Sequence, residues 1–355
     1  MQPPTAPPRF RVADVVRVHG DNFVAGDDVV VTSTQHRALD AIVRCRTAAM
    51  GAHAAIYACG HQVVAYNSCR HRACTQCGRH VAAQWVERRE QDLLPVPYFH
   101  VVFTLPPALR DVPMVARWQV YEALLRASSS TLARFARERL QGEPGVISVL
   151  HTWGQTLQHH PHVHCVVAGG AWDAKREAFI RPRHARFLFP VRALSKVFRG
   201  KMLDELRRRG LPEMSTDDLE ALIAKARSSS WVVYAKPPFG GPQQVLRYLA
   251  RYVHRVAIGD HRLVNVDDSG VTFTWKDYRD GGQQKQMTLS GDEWLRRFVQ
   301  HLPPRRFVRI RSSGFLANTT KQAKLAAIRA ALGEPAAPRS STTTPTKRGS
   351  SPCPS

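Results

Sequence analysis

Two short runs of alternating apolar and polar residues lie close together, at 146–156 and 162–167. Successive side chains of a β-strand point to opposite faces, so this alternation predicts two half-buried strands. Strands separated by so few residues favour an antiparallel pair. We therefore expect an α+β fold, an antiparallel sheet with helices on one face.

Further elements are predicted around this pair. The stretch YFHVVFTLP from Tyr98 alternates as a strand and is ended by prolines. Helical spacing at 112–140 predicts two helices with a break near Ser128–Ser130. A short strand is predicted at 231–234, a helix at 243–256 and a strand at 271–275.

The charge balance indicates an anionic partner. The chain has 51 Lys and Arg against 28 Asp and Glu, a net charge of +23. Folding does not require this excess, and nucleic acid is its usual partner, although a generally basic proteome is an alternative. No apolar run reaches the roughly 18 residues needed to span a membrane, and the N-terminus lacks an apolar signal region. We expect no membrane partner and a cytoplasmic, nucleoid-associated bacterial protein.

A pair of histidines occupies one face of the second predicted strand. His162 and His164 are two residues apart and project together, whereas Val163 and Cys165 point to the opposite, buried side. Two neutral imidazoles on one rigid face can chelate a divalent ion, which could polarise a phosphate. Ordinary surface histidines are the alternative interpretation.

Two tyrosines occur at helical spacing near residue 250. Tyr248 and Tyr252 share a helix face, flanked by Arg247, Arg251 and Arg255. A phenol beside cationic groups can attack a phosphate and form a covalent phosphotyrosine. The alternative is an amphipathic helix that packs both rings inward.

Five of the seven cysteines lie between positions 45 and 77, which does not fit a secreted disulfide framework. Cys74 and Cys77 have the spacing of a zinc knuckle, and Cys59 and Cys69 precede them closely enough to complete a tetrahedral site. We expect Cys59, Cys69, Cys74 and Cys77 to hold structural Zn²⁺. Reduced cysteines without metal are the alternative.

Several blocks in this order resemble one family, the transposases of the insertion sequence ninety-one family, within the His-hydrophobic-His single-strand endonucleases. The resemblance covers roughly residues 35–320. Its blocks are CRTAA at 45, AYNSCRHRACTQC at 65, YFHVVFTLP at 98, HTWGQTLQHHPHVHCVV at 151, RYLARYVHRVAI at 247, TFTWKDYRDGG at 272 and FVRIRSSGFLAN at 307.

The resemblance implies roles for single residues. His162 and His164 would hold Mg²⁺ or Mn²⁺ over the scissile phosphate, and Tyr248 and Tyr252 would be the nucleophiles of a rolling-circle transposition through a 5′-phosphotyrosine. Such enzymes usually supply a third polar ligand, for which Gln155 is the first candidate. His151 and Gln244 remain open. The arginines that could hold the phosphates of single-stranded DNA are Arg247, Arg251, Arg255, Arg305, Arg306, Arg309 and Arg311. A solvated charged face is the alternative interpretation of these arginines.

The cysteine segment departs from the family pattern at one position. The family has a second Cys-x-x-Cys upstream, but the expected partner of Cys59 falls on Ile56. The fourth zinc ligand therefore stays open among Cys69, His61, His53 and Cys45.

We expect five parts: a flexible arm 1–10, a helical segment with a zinc-binding, DNA-binding domain 11–95, a nuclease core 96–260, a basic extension 261–333 and a disordered tail 334–355. Two other functions compete with the transposase. A plasmid replication initiator would use the same chemistry at an origin. A noncatalytic zinc-dependent DNA-binding protein would form no covalent adduct with DNA.

Overall fold

A computed structural model describes residues 8–26, 30–56, 59–238 and 257–333, together with Gln244. Tyr248, Tyr252, Arg247, Arg251 and Arg255 lie outside the described residues, as do the tail from 334 and most of the N-terminal arm.

The described chain contains both helices and strands. The helices are α1 Val12–Ala25, α2 Ser33–Arg44, α3 Thr75–Glu90, α4 Arg117–Leu140, α5 Val191–Arg209, α6 Thr216–Ser228, α7 Gly291–Val299 and α8 Lys321–Ala331. The strands are β1 Ala52–Ile56, β2 Gln62–Tyr66, β3 Tyr98–Thr104, β4 Glu143–Trp153, β5 His159–Asp173, β6 Ala178–Ile180, β7 Val232–Lys236, β8 Leu263–Asp267, β9 Gly270–Asp277, β10 Gln283–Leu289 and β11 Ile310–Gly314.

An antiparallel sheet forms the centre of the molecule, in the order β11-β4-β5-β3-β7, with β6 paired to β5. The predicted α+β class is confirmed. The β4–β5 register places His151 opposite His162 and Val149 opposite His164. This register is set by the alternation of buried and polar residues, because a slip of one residue would move every side chain to the other face.

One face of this sheet carries the larger core. Val163, Cys165 and Val167 are fully or almost fully buried there, as the alternation predicts. They belong to the apolar cluster that also contains residues of α4, α5 and α6.

Helix α4 runs without the break predicted near Ser128–Ser130. The hydroxyl groups of Ser128 and Thr131 donate to the carbonyls of Leu124 and Ala127, each at 2.7 Å. These bonds satisfy the hydroxyls inside the helix, so serine does not need to end it. The predicted break was wrong for this reason.

The opposite face of the sheet is covered at one end. Leu325 and Ile328 of α8 are buried in the cluster that contains Ile147 and Val166. Helices therefore lie against both faces, while the end of β4 and β5 that carries the histidines faces a cleft.

A second core joins the N-terminal helices to the region between residues 257 and 302. Val12 and Ile42 of the N-terminal helices share one apolar cluster with Phe273, Trp294 and Phe298 of the three-stranded sheet β10-β9-β8 and α7. The backbone N–H of Val12 also donates to the buried carboxylate of Asp260 at 3.1 Å. The region from 257 to 302 is thereby fixed against the N-terminal helices.

Among the described residues, none of the helices has the length and apolar character required to cross a membrane.

Candidate metal centres and nucleic-acid cleft

Three histidines meet on the polar face of the β4–β5 pair. His151 faces His162 across the two strands, and His164 follows on the same side of β5. One ring nitrogen from each of the three lies within 4.8 Å of the others, close enough for one ion to be shared. The predicted pair is thus joined by a third imidazole.

Hydrogen bonds orient two of these rings. His162 Nδ1 lies 2.7 Å from the carbonyl oxygen of His160, so Nδ1 carries the proton that it donates and Nε2 keeps a lone pair. His164 Nδ1 lies 2.8 Å from Nε2 of the buried His100. Ligand histidines in metal sites are commonly held in this way by a bond to the second ring nitrogen.

His162 and His164 are neutral at physiological pH. Burial lowers the pKa of His162 to about 4 and that of His164 well below its ordinary value, and the neighbouring imidazoles lower both further. A neutral imidazole is the form that binds a metal. The donor set therefore fits a divalent transition-metal ion.

Gln155 does not take the position beside His162 that the sequence suggested. Strand β4 ends at Trp153, and Gln155 belongs to the turn that follows. Its side-chain oxygen lies 3.4 Å from the backbone N–H of Lys276, and the cross-strand neighbour of His162 is His151. The strand register, which sequence spacing alone leaves open, therefore places His151, and not Gln155, beside His162. Gln244, the other alternative, is exposed.

An open cleft of about 1320 Å³ leads to the three histidines. Trp275 and Tyr278, near the tip of the β9–β10 hairpin, line it with the cationic Lys276 and Arg279. The Tyr278 ring is 72% exposed. Aromatic faces beside cationic groups are typical of single-strand nucleic-acid sites.

Arg262 holds the walls of the cleft together. Its guanidinium donates to the carbonyls of Gln155 at 2.5 Å and Thr274 at 2.7 Å. It also lies over the ring of Phe273, 5.7 Å from the ring centroid. The turn after β4 is thus tied to β9, which gives the cleft a defined width.

The two arginines predicted near residue 310 lie elsewhere. Arg311 makes a two-pronged ion pair with Glu122 of α4, a carboxylate that it shares with Arg126. Burial, with repulsion from Arg72, lowers the pKa of Arg309 to about 10. Neither lines the cleft, and their contact with DNA stays a prediction.

Four cysteines form a second cluster, beside the N-terminus of α3. The sulfurs of Cys45, Cys69, Cys74 and Cys77 all lie within 4.8 Å of one another, with Cys77 Sγ 3.4 Å from Cys45 and 3.6 Å from Cys69. A tetrahedral ion with Zn–S bonds of about 2.3 Å sets its sulfurs about 3.8 Å apart. Burial raises the pKa of the Cys45 thiol to about 12, because a buried thiolate is unfavourable. A bound cation would stabilise the thiolate form.

Cys45, and not Cys59, completes this cluster. Cys59 is exposed in the turn between β1 and β2. Cys45 follows directly after α2, and the backbone N–H of Arg46 donates to the carbonyl of Asn67 at 3.1 Å, which brings residues 45 and 69 together. The predicted ligand set is corrected at this position, where the sequence had left Cys45 among the alternatives.

Comparison with known proteins shows what this chain is similar to, and one matching profile describes a zinc-binding domain. Residues 145–324 match the family profile described as "Putative transposase", and residues 15–105 match the profile described as "Transposase zinc-binding domain". The chain is 46% identical to "Putative transposase y4qJ" of Sinorhizobium fredii over 336 residues, covering 91% of this chain and 84% of the relative. It is 31% identical to "Transposase for insertion sequence element IS801" of Pseudomonas savastanoi pv. phaseolicola over 277 residues, covering 74% of this chain and 64% of the relative.

Proposed function

Because this chain belongs to the insertion sequence ninety-one family of transposases, we propose that it nicks and rejoins single-stranded DNA at the ends of its element, by a rolling-circle route. Membership of the family makes DNA the partner of the chain. The observation that carries the finer proposal is the group of three imidazoles at an open, partly cationic cleft.

In this proposal His151, His162 and His164 hold one divalent ion. An ion held there would supply positive charge beside the scissile phosphate, which would favour attack at phosphorus. His100 and the carbonyl of His160 keep two of the imidazoles in the orientation that binding needs. Mg²⁺ prefers oxygen ligands, so the imidazole set favours Mn²⁺ or a later transition metal over Mg²⁺.

Tyr248 and Tyr252 are the proposed nucleophiles. They lie outside the described residues, but Ala257 lines the cleft only five positions after Tyr252. Five residues span at most about 18 Å, and this short separation in sequence from a residue of the cleft supports the proposal that Tyr252 acts there. Arg247, Arg251 and Arg255 accompany the tyrosines in sequence and would neutralise neighbouring phosphates.

The proposed reaction needs no external energy source. The Tyr hydroxyl loses its proton and attacks phosphorus, the bond from phosphorus to the 3′-oxygen breaks, and that oxygen leaves as a 3′-hydroxyl after taking up a proton. The 5′-phosphotyrosine that forms retains the phosphodiester bond energy, which a 3′-hydroxyl uses for rejoining. Two tyrosines allow two successive strand transfers.

Trp275 and Tyr278 suit a role in holding the strand. Both line the cleft, and Tyr278 is largely exposed. Stacking on an aromatic ring does not discriminate strongly among bases and requires them to be unpaired. This composition supports a single-stranded substrate.

The test is formation of a covalent adduct. A fluorescent single-stranded oligonucleotide carrying the element end is incubated with the purified protein and Mn²⁺, then resolved on a denaturing gel. We expect a protein–DNA band that survives detergent and is absent from Tyr248→Phe/Tyr252→Phe. Equal adduct in the double variant would refute the nucleophile assignment, whereas absence of adduct from the parent would favour a noncatalytic DNA-binding protein.

A further inference from the structure

A second pocket, distinct from the histidine cleft, lies between the cysteine segment and the C-terminal part of the chain. Its volume is about 520 Å³. Three separate stretches line it: the start of α2, the loop between Cys69 and Cys74, and the loop after α7. The lining residues are Thr34, Arg37, Arg70, His71, Arg72, Pro303, Arg305 and Arg306.

The pocket is strongly cationic. Five of its eight lining residues are arginines and none is acidic. Arg37, Arg70, Arg305 and Arg306 are exposed, and within the described ranges none of these four makes an ion pair or a side-chain hydrogen bond. Arg311, by contrast, makes an ion pair with Glu122. Four guanidinium groups without carboxylate partners around one concavity favour an anionic ligand.

Arg72 builds the pocket and is not itself available to a ligand. Its guanidinium donates to the carbonyls of Phe307 at 2.7 Å and Pro303 at 3.1 Å, and also to that of Pro304. These bonds fasten the loop that carries Arg305 and Arg306 to the cysteine segment. The two cationic loops are therefore held at a fixed separation.

The backbone conformation of two lining residues also indicates a site held in a fixed shape for an anionic ligand. Arg70 and Arg306 have φ angles of +51° and +67°, a conformation that bulky side chains rarely adopt. Both residues line the pocket. Strained backbone of this kind persists where surrounding bonds impose it, and here the bonds of Arg72 and the cysteine cluster supply that constraint.

The cysteine cluster fixes one wall of the pocket. Arg70, His71 and Arg72 lie between two of its members, Cys69 and Cys74. The backbone N–H of His71 lies 3.4 Å from the Cys69 sulfur. A metal held by the four sulfurs would therefore also set the position of the Arg70 guanidinium.

We propose that this pocket grips the phosphate backbone of double-stranded DNA, while the histidine cleft takes the single strand. The inference rests on DNA being the partner of the chain and not on the tyrosine chemistry. Phosphate contacts from arginine position a protein on a duplex without reading its sequence. Among the described residues, His71 supplies the only aromatic ring that lines this pocket, whereas Trp275 and Tyr278 line the cleft. The pocket therefore suits the phosphates of paired bases better than it suits stacked single bases.

The test measures duplex binding as a function of salt. A fluorescent 30-base-pair duplex of arbitrary sequence is titrated by anisotropy between 50 and 300 mM KCl. The first variant is Arg37→Ala/Arg305→Ala, which leaves both left-handed positions intact. The second is Arg70→Gly/Arg306→Gly, because glycine accepts a positive φ without strain. The matched control is Arg181→Ala/Arg183→Ala, which removes the same charge from exposed residues outside both pockets.

Each phosphate contact contributes about 0.9 to the slope of log Kd against log salt, so each pocket variant should lower that slope by about 2 and weaken binding about ten-fold at 150 mM. The control should change neither. Binding of a single-stranded oligonucleotide and formation of its covalent adduct should persist in both pocket variants. Parental duplex affinity and slope in both would overturn the inference and leave the proposed function standing. Loss of adduct from the Tyr double variant tests that function separately.

Discussion

His100 Nε2 lies 2.8 Å from His164 Nδ1, and the two rings are nearly parallel, with planes 4° apart. His100 is buried on β3, and burial lowers its pKa to about 4. The contact therefore joins two neutral rings, and in the tautomer in which His164 Nδ1 donates to His100 Nε2, His164 Nε2 keeps its lone pair. His164 can present Nε2 to an ion because Nδ1 is already engaged by His100.

The first prediction follows from this contact. His100→Ala should raise the Mn²⁺ concentration needed for half-maximal adduct by about 10- to 100-fold, the usual effect of removing a partner behind a ligand. Adduct at saturating Mn²⁺ should recover most of its parental level. His100→Gln, which keeps a hydrogen-bonding side chain, should lose less. Unchanged metal dependence in His100→Ala would show that the contact is only packing.

The second prediction concerns the three proposed ligands. His151→Ala, His162→Ala and His164→Ala should each reduce adduct formation by at least about 100-fold, because each removes charge stabilisation at the reacting phosphate. Affinity for single-stranded DNA should change little, since it depends mainly on phosphate charge. His160→Ala is the matched control, because this ring lines the same cleft outside the group of three. Full activity of His151→Ala would return the third position to Gln155 or Gln244.

The third prediction separates the two candidate cysteines. We expect about one tightly bound zinc per chain, measured by plasma mass spectrometry after gel filtration. Cys45→Ser should lose it, and Cys59→Ser should retain it, because only Cys45 lies within 4.8 Å of the other three sulfurs. Zinc binding contributes free energy to the folding of the cysteine segment. Cys45→Ser should therefore also lower the midpoint temperature at which this segment unfolds. Zinc retained in Cys45→Ser and lost from Cys59→Ser would restore the sequence-based ligand set.

The fourth prediction concerns pH. His301 donates from Nε2 to the carbonyl of Leu157 at 2.9 Å, and its Nδ1 accepts from the Thr152 hydroxyl at 3.0 Å. Burial lowers the pKa of His301 to about 3, while the unfolded chain keeps a value near 6.5. Below pH 6.5 the unfolded state therefore binds a proton that the folded state does not, so stability falls as pH falls.

Because of this histidine alone, the free energy of unfolding should fall by about 2 kcal/mol between pH 7 and pH 5. The slope is about 1.4 kcal/mol per pH unit below pH 6.5. Urea unfolding at the two pH values measures the loss. His301→Gln should be less stable at pH 7 but should lose correspondingly less on acidification. An identical pH dependence in parent and variant would exclude His301 as a contributor. The half-buried His159, whose pKa burial lowers to about 4, acts in the same direction and remains in both proteins.

Local alternation predicted much of the sheet correctly. The strand from Tyr98, the antiparallel pair around residues 150 and 163, and the opposite faces of His164 and Cys165 all follow from a period of two. The helix prediction was wrong at Ser128–Ser130, because these three hydroxyls donate to backbone carbonyls within α4. Whether serine hydroxyls bond within a helix or end it depends on how the helix packs, which the local sequence does not specify.

The sequence by itself determined the chemistry available to this protein, namely paired histidines on a strand, a cysteine-rich segment and an excess of positive charge. The order of its sequence blocks also identified the family. Only the tertiary structure decided which residues meet. Strand register brought His151 to His162, although they are eleven positions apart. Packing of α2 brought Cys45, rather than Cys59, to the other cysteines. Metal ligation needs donor atoms within a few ångströms, and that separation is set by register and packing between distant segments, which residue spacing along the chain does not specify.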